Sequence, residues 1–292
     1  MKHLSMEKKR SLWGWFFILP AATLIFIFSF YPMINTFILS LQSGIGNNLH
    51  FTGIRNYYRL FQDATFLRSV ANVFTYLIIQ VPIMLFLALI LSSILNNPRL
   101  KFKGLFRTLV FLPCATALVS SAMVFRSFFA LDGIVNIALL NIGLISNPIS
   151  WLSHPIWAKV IIILVITWRW TGFNTIFYLA GLQNIDHSIY ESAKIDGASP
   201  TQIFFKITLP LLRPVILLTA IMSTNGTLQL FDEVVQLTGG GPGNATITIT
   251  QYIFNLSFVF SPQFGYAAAV SYAILVIVAI LSIIQMKIGD QK

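Results

Sequence analysis

The chain has 292 residues, of which 56% are hydrophobic and only 10% are charged. Since soluble domains carry about 25% charged residues, this composition excludes an ordinary soluble domain and predicts a protein embedded in a bilayer. The formal net charge of +10 would suit a nucleic-acid partner, but the basic residues follow the pattern of membrane topology, and we expect no nucleic-acid role.

Six apolar stretches are each long enough to form a transmembrane helix, because about 20 residues are needed to cross the hydrocarbon core. They comprise residues 13–41, 70–95, 107–129, 155–181, 211–236 and 265–286. Strands of a membrane barrel would be about half as long and would alternate apolar and polar residues. We therefore predict an all-α membrane protein with six transmembrane helices, in a single domain over residues 1–292. Within it, residues 1–69 form the first helix and an external loop, and residues 70–287 form the core.

The distribution of basic residues predicts which side of the membrane each loop occupies. The loops between the third and fourth helices and between the fifth and sixth contain no Lys or Arg. Because cytoplasmic segments are enriched in basic residues, we predict that both termini are cytoplasmic. The first external loop runs against this pattern, but long loops carry less weight in it. The basic residues on the predicted cytoplasmic side are Lys2, Lys8, Lys9, Arg10, Arg99, Lys101, Lys103, Arg107, Lys194, Lys206, Arg213, Lys287 and Lys292.

The polar segment between the fourth and fifth helices carries signals for a short helix. Ser188 and Glu191 fit the capping-box pattern, which predicts Ser188 as the N-cap. The helix would stop at Gly197, since glycine readily adopts the left-handed conformation that ends a helix.

A second helix is predicted to follow at once. Ser199 is a favourable N-cap and Pro200 suits the first helical position. We predict that this helix ends before Pro210, which has no backbone N–H to donate. The resulting helix–glycine–helix segment has two interpretations: a docking element for a soluble partner, or a self-contained amphipathic connector.

The same segment resembles the EAA motif of permeases from binding-protein-dependent ABC importers. The similarity lies in ESAKIDGA at 191–198 and ITLP at 207–210, with Ser192 at the motif's middle alanine. Three further stretches are similar to carbohydrate permeases of class 1, in particular to the first permease of the maltose and glycerol-phosphate type. These are FTGIRNY at 51–57, FD with LTGGGP at 231–232 and 237–242, and FGYAAA at 264–269, so the resemblance spans residues 10–287.

The resemblance implies that residues 186–210 form a cytoplasmic coupling helix region between helices four and five, seated in a cleft of an ATP-binding subunit. The residues that match the family's motif and would couple to the ATPase are Glu191, Ala193, Asp196, Gly197, Ala198, Ile207, Leu209 and Pro210.

The resemblance also implies a function and a set of partners. The chain would form half of the path by which an ATP-driven importer moves a sugar or oligosaccharide across the bacterial inner membrane. Its partners would be a second related permease, two ATP-binding subunits, an extracytoplasmic sugar-binding protein and membrane lipid. It would bind no cofactor itself, since ATP and Mg would lie on the ATPase subunits. A permease for another solute, an ion-coupled secondary transporter and a membrane scaffold remain alternatives.

Polar residues within the fourth and fifth helices are candidates for the substrate path. In helix five they recur at intervals of four, three and four residues, which places them on one helix face. Such side chains usually face the bundle interior or a cavity, and they offer several hydrogen bonds to sugar hydroxyls. The alternative is that they form hydrogen bonds between helices. The candidates are Asn225, Gln229, Asp232 and Gln236 in helix five, and Trp170, Asn174 and Tyr178 in helix four.

Arg169 lies within the fourth predicted helix, where a charge is costly and needs a partner. We expect it to make a structural pair rather than to bind substrate.

Catalytic and metal-binding patterns are absent from the sequence. It contains no G-x-x-x-x-G-K-[ST], so we expect no Walker-type ATP site. The four histidines have no metal-ligand spacing. We predict that the chain is a transport subunit and not an enzyme.

Overall fold

The computed structural model describes residues 6–290; Lys2 and Lys292, which contribute to the predicted topology, lie outside this range. The helices are α1 (Met6–Ile25), α2 (Tyr31–Ser40), α3 (Arg55–Leu60), α4 (Ala64–Asn96), α5 (Lys103–Ala115), α6 (Leu118–Phe128), α7 (Ile134–Asn141), α8 (Pro155–Gln183), α9 (His187–Ile195), α10 (Pro200–Ile203), α11 (Leu209–Leu228), α12 (Asp232–Leu237), α13 (Ile249–Phe254) and α14 (Phe264–Asp290). Three π-helical turns, Phe26–Phe30, Phe204–Thr208 and Asn255–Val259, adjoin α2, α11 and α13, and one hairpin comprises β1 (Gln42–Ile45) and β2 (Asn48–Phe51).

Five helices in the described range are long and apolar enough to cross a membrane, and a bent pair makes six if it counts as one span. The five are Trp13–Ser40, Ala64–Asn96, Pro155–Gln183, Pro200–Leu228 and Phe264–Gly289. The helical membrane architecture predicted from composition is therefore confirmed.

Within the described range, one compact unit contains residues 6–62 and 253–273. Its hairpin, which pairs Gln42 with Phe51 and Ile45 with Asn48, corrects the all-α prediction. Gly46 occupies the two-residue turn at φ 58°, a conformation that hairpin turns require and glycine readily adopts.

Polar contacts fix α3 within this unit. Asn56 donates to the carbonyls of Ser40 and Gln42 at 2.9 and 2.7 Å. The Arg59 guanidinium lies 3.8 Å from the ring centroid of Tyr266 and donates to Gln263.

The second unit contains residues 63–252 and 274–290 of the described range, and its core lies among α4, α6, α8 and α12. Asp63 caps α4, since its Oδ1 accepts from the N–H groups of Thr65 and Phe66 at 2.9 and 3.1 Å. The cluster of buried core residues is Tyr76, Ala122, Trp151, Ile161, Ile162, Val165, Ile166, Leu230, Val234 and Leu237.

The glycine-rich stretch after α12 folds as a series of turns. The hydroxyl oxygens of Thr238 and Thr246 lie 2.8 Å apart across it. From α4, Asn72 donates to the carbonyl of Ile247 at 2.9 Å and Arg68 to that of Gly243 at 2.8 Å. These bonds hold the loop against the start of α4.

The third predicted span is broken, which corrects the expectation of one helix over 107–129. Helices α5 and α6 meet at 94°. Pro113 lies in the last turn of α5, where it cannot donate a helical hydrogen bond. Thr116 and Ala117 then adopt extended backbone.

The fifth span begins earlier than predicted. The helix that starts at Pro200 does not end before Pro210 but continues into the membrane span as Pro200–Leu228. In the π-turn, the N–H of Leu209 bonds to the carbonyl of Phe204. This wider turn comes directly before Pro210 and accommodates a residue that has no N–H of its own.

The fifth span also ends earlier than predicted. α11 stops at Leu228, and Phe231 has the non-helical angles φ −136° and ψ −65° before α12 begins. Gly226 and the neighbouring threonines have low helix propensity, which favours a break here.

Candidate functional site

The segment between α8 and α11 folds as helix, glycine corner and helix. Asp186 is the N-cap of α9, and its Oδ1 accepts from the Ser188 N–H at 2.9 Å. This corrects the prediction that Ser188 caps the helix with Glu191, because α9 starts at His187 and places Ser188 within the first turn. The Ser188 N–H also lowers the pKa of Asp186 below its ordinary value, since it stabilises the charged carboxylate.

Gly197 terminates α9, as predicted. It has φ 78°, and its N–H donates to the carbonyl of Lys194 at 3.1 Å. The N–H of Ala198 reaches back to Ala193 at 2.9 Å. Together these bonds form a Schellman motif, which satisfies the last carbonyls of the helix.

The second helix starts where the sequence predicted. Ser199 and Gln202 form a complete capping box, with bonds of 2.8 and 3.3 Å, and Pro200 occupies the first turn. Both ends of the corner are therefore fixed by local hydrogen bonds.

The predicted coupling residues divide by exposure. Glu191, Asp196, Gly197 and Pro210 are exposed, Ala198, Ile207 and Leu209 are half-buried, and Ala193 is buried. Ile195, which the sequence reasoning did not single out, is 86% exposed.

A second site is a cavity of about 360 Å³ among α4, α6, α8, α11 and α12. Its wall contains four of the seven predicted path residues: Trp170, Asn174, Gln229 and Asp232. The structure brings these together from α8 and from the break between α11 and α12.

The other three predicted path residues do not line this cavity. Asn225 accepts a hydrogen bond from Ser282 of α14 at 3.4 Å. Tyr178 is buried and its hydroxyl accepts from Thr219 at 3.0 Å. Gln236 lies on α12, beyond the break, so the four polar residues predicted on one face of helix five do not share a helix.

Hydrogen bonds hold the polar wall of the cavity in place. The indole N–H of Trp170 donates to Glu233 Oε1 at 3.3 Å. Asn174 donates to the Trp170 carbonyl at 3.0 Å and accepts from Ser223 at 3.4 Å. Trp170 is 36% exposed, so its ring is accessible while its polar edge is held.

Sequence reasoning missed Glu233 and Gln80, which also line the cavity. Gln80 accepts from Thr227 at 3.2 Å and donates to the Met84 sulfur at 3.1 Å. An amide in the middle of a strongly apolar stretch was the signal for Gln80. Glu233 gave no periodic signal because the helix break sets its orientation.

Arg169 makes a structural contact, as expected of a charge in a span. It is 9% exposed and donates to the Thr116 carbonyl at 3.1 Å, at the break between α5 and α6. Its partner is a backbone carbonyl rather than a carboxylate.

Long apolar helices, a cavity with several polar groups in its wall, and a capped polar segment between two spans are consistent with a membrane transport subunit. The model of the family "binding-protein-dependent transport system inner membrane component" matches residues 61–289. The chain belongs to this family, whose members are transport components and not enzymes.

Similar proteins agree with this membership. The chain is 53% identical to the lactose transport system permease protein LacF of Rhizobium radiobacter over 87% of this chain and 86% of that one. It is 37% identical to the trehalose/maltose transport system permease protein MalF of Thermococcus litoralis, over 83% and 82% of the two chains. A solved chain from the bacterial alginate ABC transporter in complex with an alginate pentasaccharide-bound periplasmic protein has a TM-score of 0.83 at 26% identity, covering 99% of this chain and 98% of that one.

Proposed function

We propose that this chain is one of two membrane-spanning subunits of an ATP-driven importer that moves a sugar or oligosaccharide into the bacterial cytoplasm. The observation that carries the proposal is the 53% identity to a lactose permease over most of both chains. The cavity supports it, because an accessible indole ring beside amide and carboxylate groups suits both the apolar face and the hydroxyls of a sugar.

The segment 186–210 is proposed as the coupling element. α9 carries the exposed Ile195 and ends in a rigid Schellman corner at Gly197. A short helix with an exposed apolar side chain suits a groove on another protein. Its partner would be an ATP-binding subunit, and ATP and Mg would be bound by that subunit. Both termini would then lie in the cytoplasm, on the same side as this segment.

The same proposal places the cavity on the substrate path. ATP-driven closure of the two ATPase subunits would move α9 and α10, and α10 continues through the π-turn into α11. Since α11 contributes to the cavity wall, motion at the coupling segment reaches the cavity along one continuous helix. A second related permease would form the other half of the path, and an external binding protein would deliver the sugar.

The test is reconstitution. The chain is co-expressed with its second permease and ATPase, and the purified complex is placed in liposomes with the binding protein outside. Co-purification of a Walker-containing subunit and ATP-dependent entry of labelled lactose, maltose or trehalose support the proposal. Uptake of an amino acid or an ion, with no uptake of any sugar, contradicts it.

A further inference from the structure

The cavity wall is acidic, although the chain as a whole carries a net charge of +10. Two of its lining residues, Asp232 and Glu233, carry carboxylates, and no Lys, Arg or His is among the described residues that line it. The remaining polar lining groups are amides and hydroxyls, which are neutral.

Glu233 is held in place by its neighbour on α8. It is 7% exposed and accepts the hydrogen bond from the Trp170 indole N–H. Glu233 belongs to α12, which starts after the break that ends α11 at Leu228. Glu233 therefore fixes the ring that forms the aromatic wall of the cavity.

Asp232 has a different setting. It is the first residue of α12 and is exposed on the cavity side of the break. A carboxylate accepts up to two hydroxyl donors on each oxygen, so Asp232 is suited to bind adjacent sugar hydroxyls.

One guanidinium lies near these groups but outside the cavity wall. Arg169 is directed to the Thr116 carbonyl, and its central carbon lies 5.7 Å from the Trp170 ring centroid, so it does not line the cavity. The described lining therefore contains amide and hydroxyl donors but no cationic donor for a carboxylate or phosphate of a substrate.

We propose that Asp232 and Glu233 make this cavity selective for uncharged sugars over sugar acids and sugar phosphates, with Glu233 positioning Trp170 as the aromatic wall. This inference rests on the proposed function as a sugar importer. An anionic group several ångströms from a carboxylate at an effective dielectric constant near 20 meets a repulsion of about 2–3 kcal/mol, which corresponds to a penalty of about 30- to 150-fold in affinity. A neutral sugar meets no such penalty.

The experiment compares two sugars that differ only in charge. Binding of lactose, and of the same disaccharide with its galactose C6 hydroxymethyl group oxidised to a carboxylate, is measured by calorimetry on the assembled complex in nanodiscs, without the binding protein. The wild-type complex should prefer lactose by at least tenfold. In Asp232→Asn, Glu233→Gln and the double variant, the preference should fall, and in the double variant by at least tenfold, chiefly through stronger binding of the acid.

Two controls separate the possible causes. Asp132→Asn removes an exposed carboxylate that does not line the cavity, and it should leave the preference unchanged. Asp232→Asn alone changes an exposed side chain, so it keeps the test available if Glu233→Gln fails to assemble. Tryptophan fluorescence should shift in Glu233→Gln, because a neutral amide oxygen replaces the carboxylate that accepts from the indole N–H.

Each failure has its own signature. If the wild-type complex binds the acid with the same affinity as lactose, or if the variants keep the wild-type preference, the selectivity inference is wrong. The proposal that the chain belongs to a sugar importer is then unaffected. If the wild-type complex binds neither sugar nor any other neutral disaccharide in the cavity, both the inference and the proposed substrate class are wrong.

Discussion

Single residues determine the shape of the segment proposed to contact the ATPase. Gly197 has φ 78°, and a Cβ added there would meet no atom within 4 Å. A side chain at this position is therefore disfavoured by the left-handed backbone conformation and not by steric contact.

Gly197→Ala should uncouple transport from ATP hydrolysis, because a non-glycine residue in the left-handed conformation costs roughly 1–2 kcal/mol and weakens the Schellman corner. Asparagine tolerates this conformation better, and Gly197→Asn is the matched control that should retain more activity. The measurement is sugar uptake per ATP hydrolysed in proteoliposomes. Equal coupling in both variants and the wild type would show that the corner plays no part in energy transfer.

Asp186 makes the cap of α9 sensitive to acid. Its pKa in the folded protein is lowered by the Ser188 N–H. Because this pKa is lowered, the charged carboxylate stabilises the helix when the pH is above the ordinary aspartate pKa of about 3.9. The stabilisation is lost as the pH falls through the pKa of Asp186 in the folded protein.

The amides of His187–Ile195 should therefore keep their protection from hydrogen exchange near neutral pH. In acid, where Asp186 becomes protonated, their protection should fall by more than the intrinsic pH dependence of exchange explains. Asp186→Asn keeps an acceptor at the cap but does not titrate, so its protection should show no such step. Identical acid profiles for the two proteins would exclude Asp186 as the titrating group.

At the scale of helices, the break between α11 and α12 decides which polar residues reach the cavity. Gln229 lies at the break and lines the cavity, whereas Asn225 faces Ser282 of α14. The two amides are four residues apart in the sequence and have different surroundings.

Gln229→Ala should raise the sugar concentration needed for half-maximal transport, because it removes hydrogen bonds to substrate hydroxyls worth about 0.5–1.5 kcal/mol each. Asn225→Ala should leave that concentration within twofold of the wild type. Uptake kinetics of the two variants at equal complex abundance decide the point. If Asn225→Ala raised the half-maximal sugar concentration more than Gln229→Ala did, the substrate would lie on the Asn225 side of α11.

The bond between Tyr178 and Thr219 joins α8 to α11 away from the cavity lining. Tyr178→Phe should lower stability by about 0.6 kcal/mol, the average for a hydrogen bond between membrane helices, without changing sugar affinity. Unfolding of the complex in a denaturing detergent series measures the first effect and uptake kinetics the second. A change in affinity alone would assign Tyr178 to the substrate path.

Helix existence could be predicted from the sequence, whereas helix continuity could not. Long apolar stretches and the signals at Ser199, Pro200 and Gly197 depend on local chemistry, and the structure confirmed them. Pro113 and Gly226 favour the breaks at Thr116 and after Leu228 locally, but the tertiary contacts at a break, such as the bond from Arg169 to the Thr116 carbonyl, could not be predicted from the sequence. For the same reason Trp170, Asn174, Gln229 and Asp232 could be selected as polar residues within spans, but Glu233 and Gln80 could not be placed in the cavity.

At the scale of the whole molecule, family membership joins the two sites into one function. The family model covers residues 61–289, which include both the capped segment and the cavity. In the proposed mechanism α10, the π-turn and α11 form one continuous connection from the first site to the second.

The central claim is that ATP hydrolysis by partner subunits drives a sugar through a path to which this chain contributes. The most direct measurement is uptake of labelled lactose by proteoliposomes that contain the assembled complex, with the binding protein outside and either ATP or ADP at the ATPase face. We predict accumulation with ATP, none with ADP, and none with a proton or sodium gradient alone. Accumulation driven by an ion gradient in the absence of ATP would contradict the account.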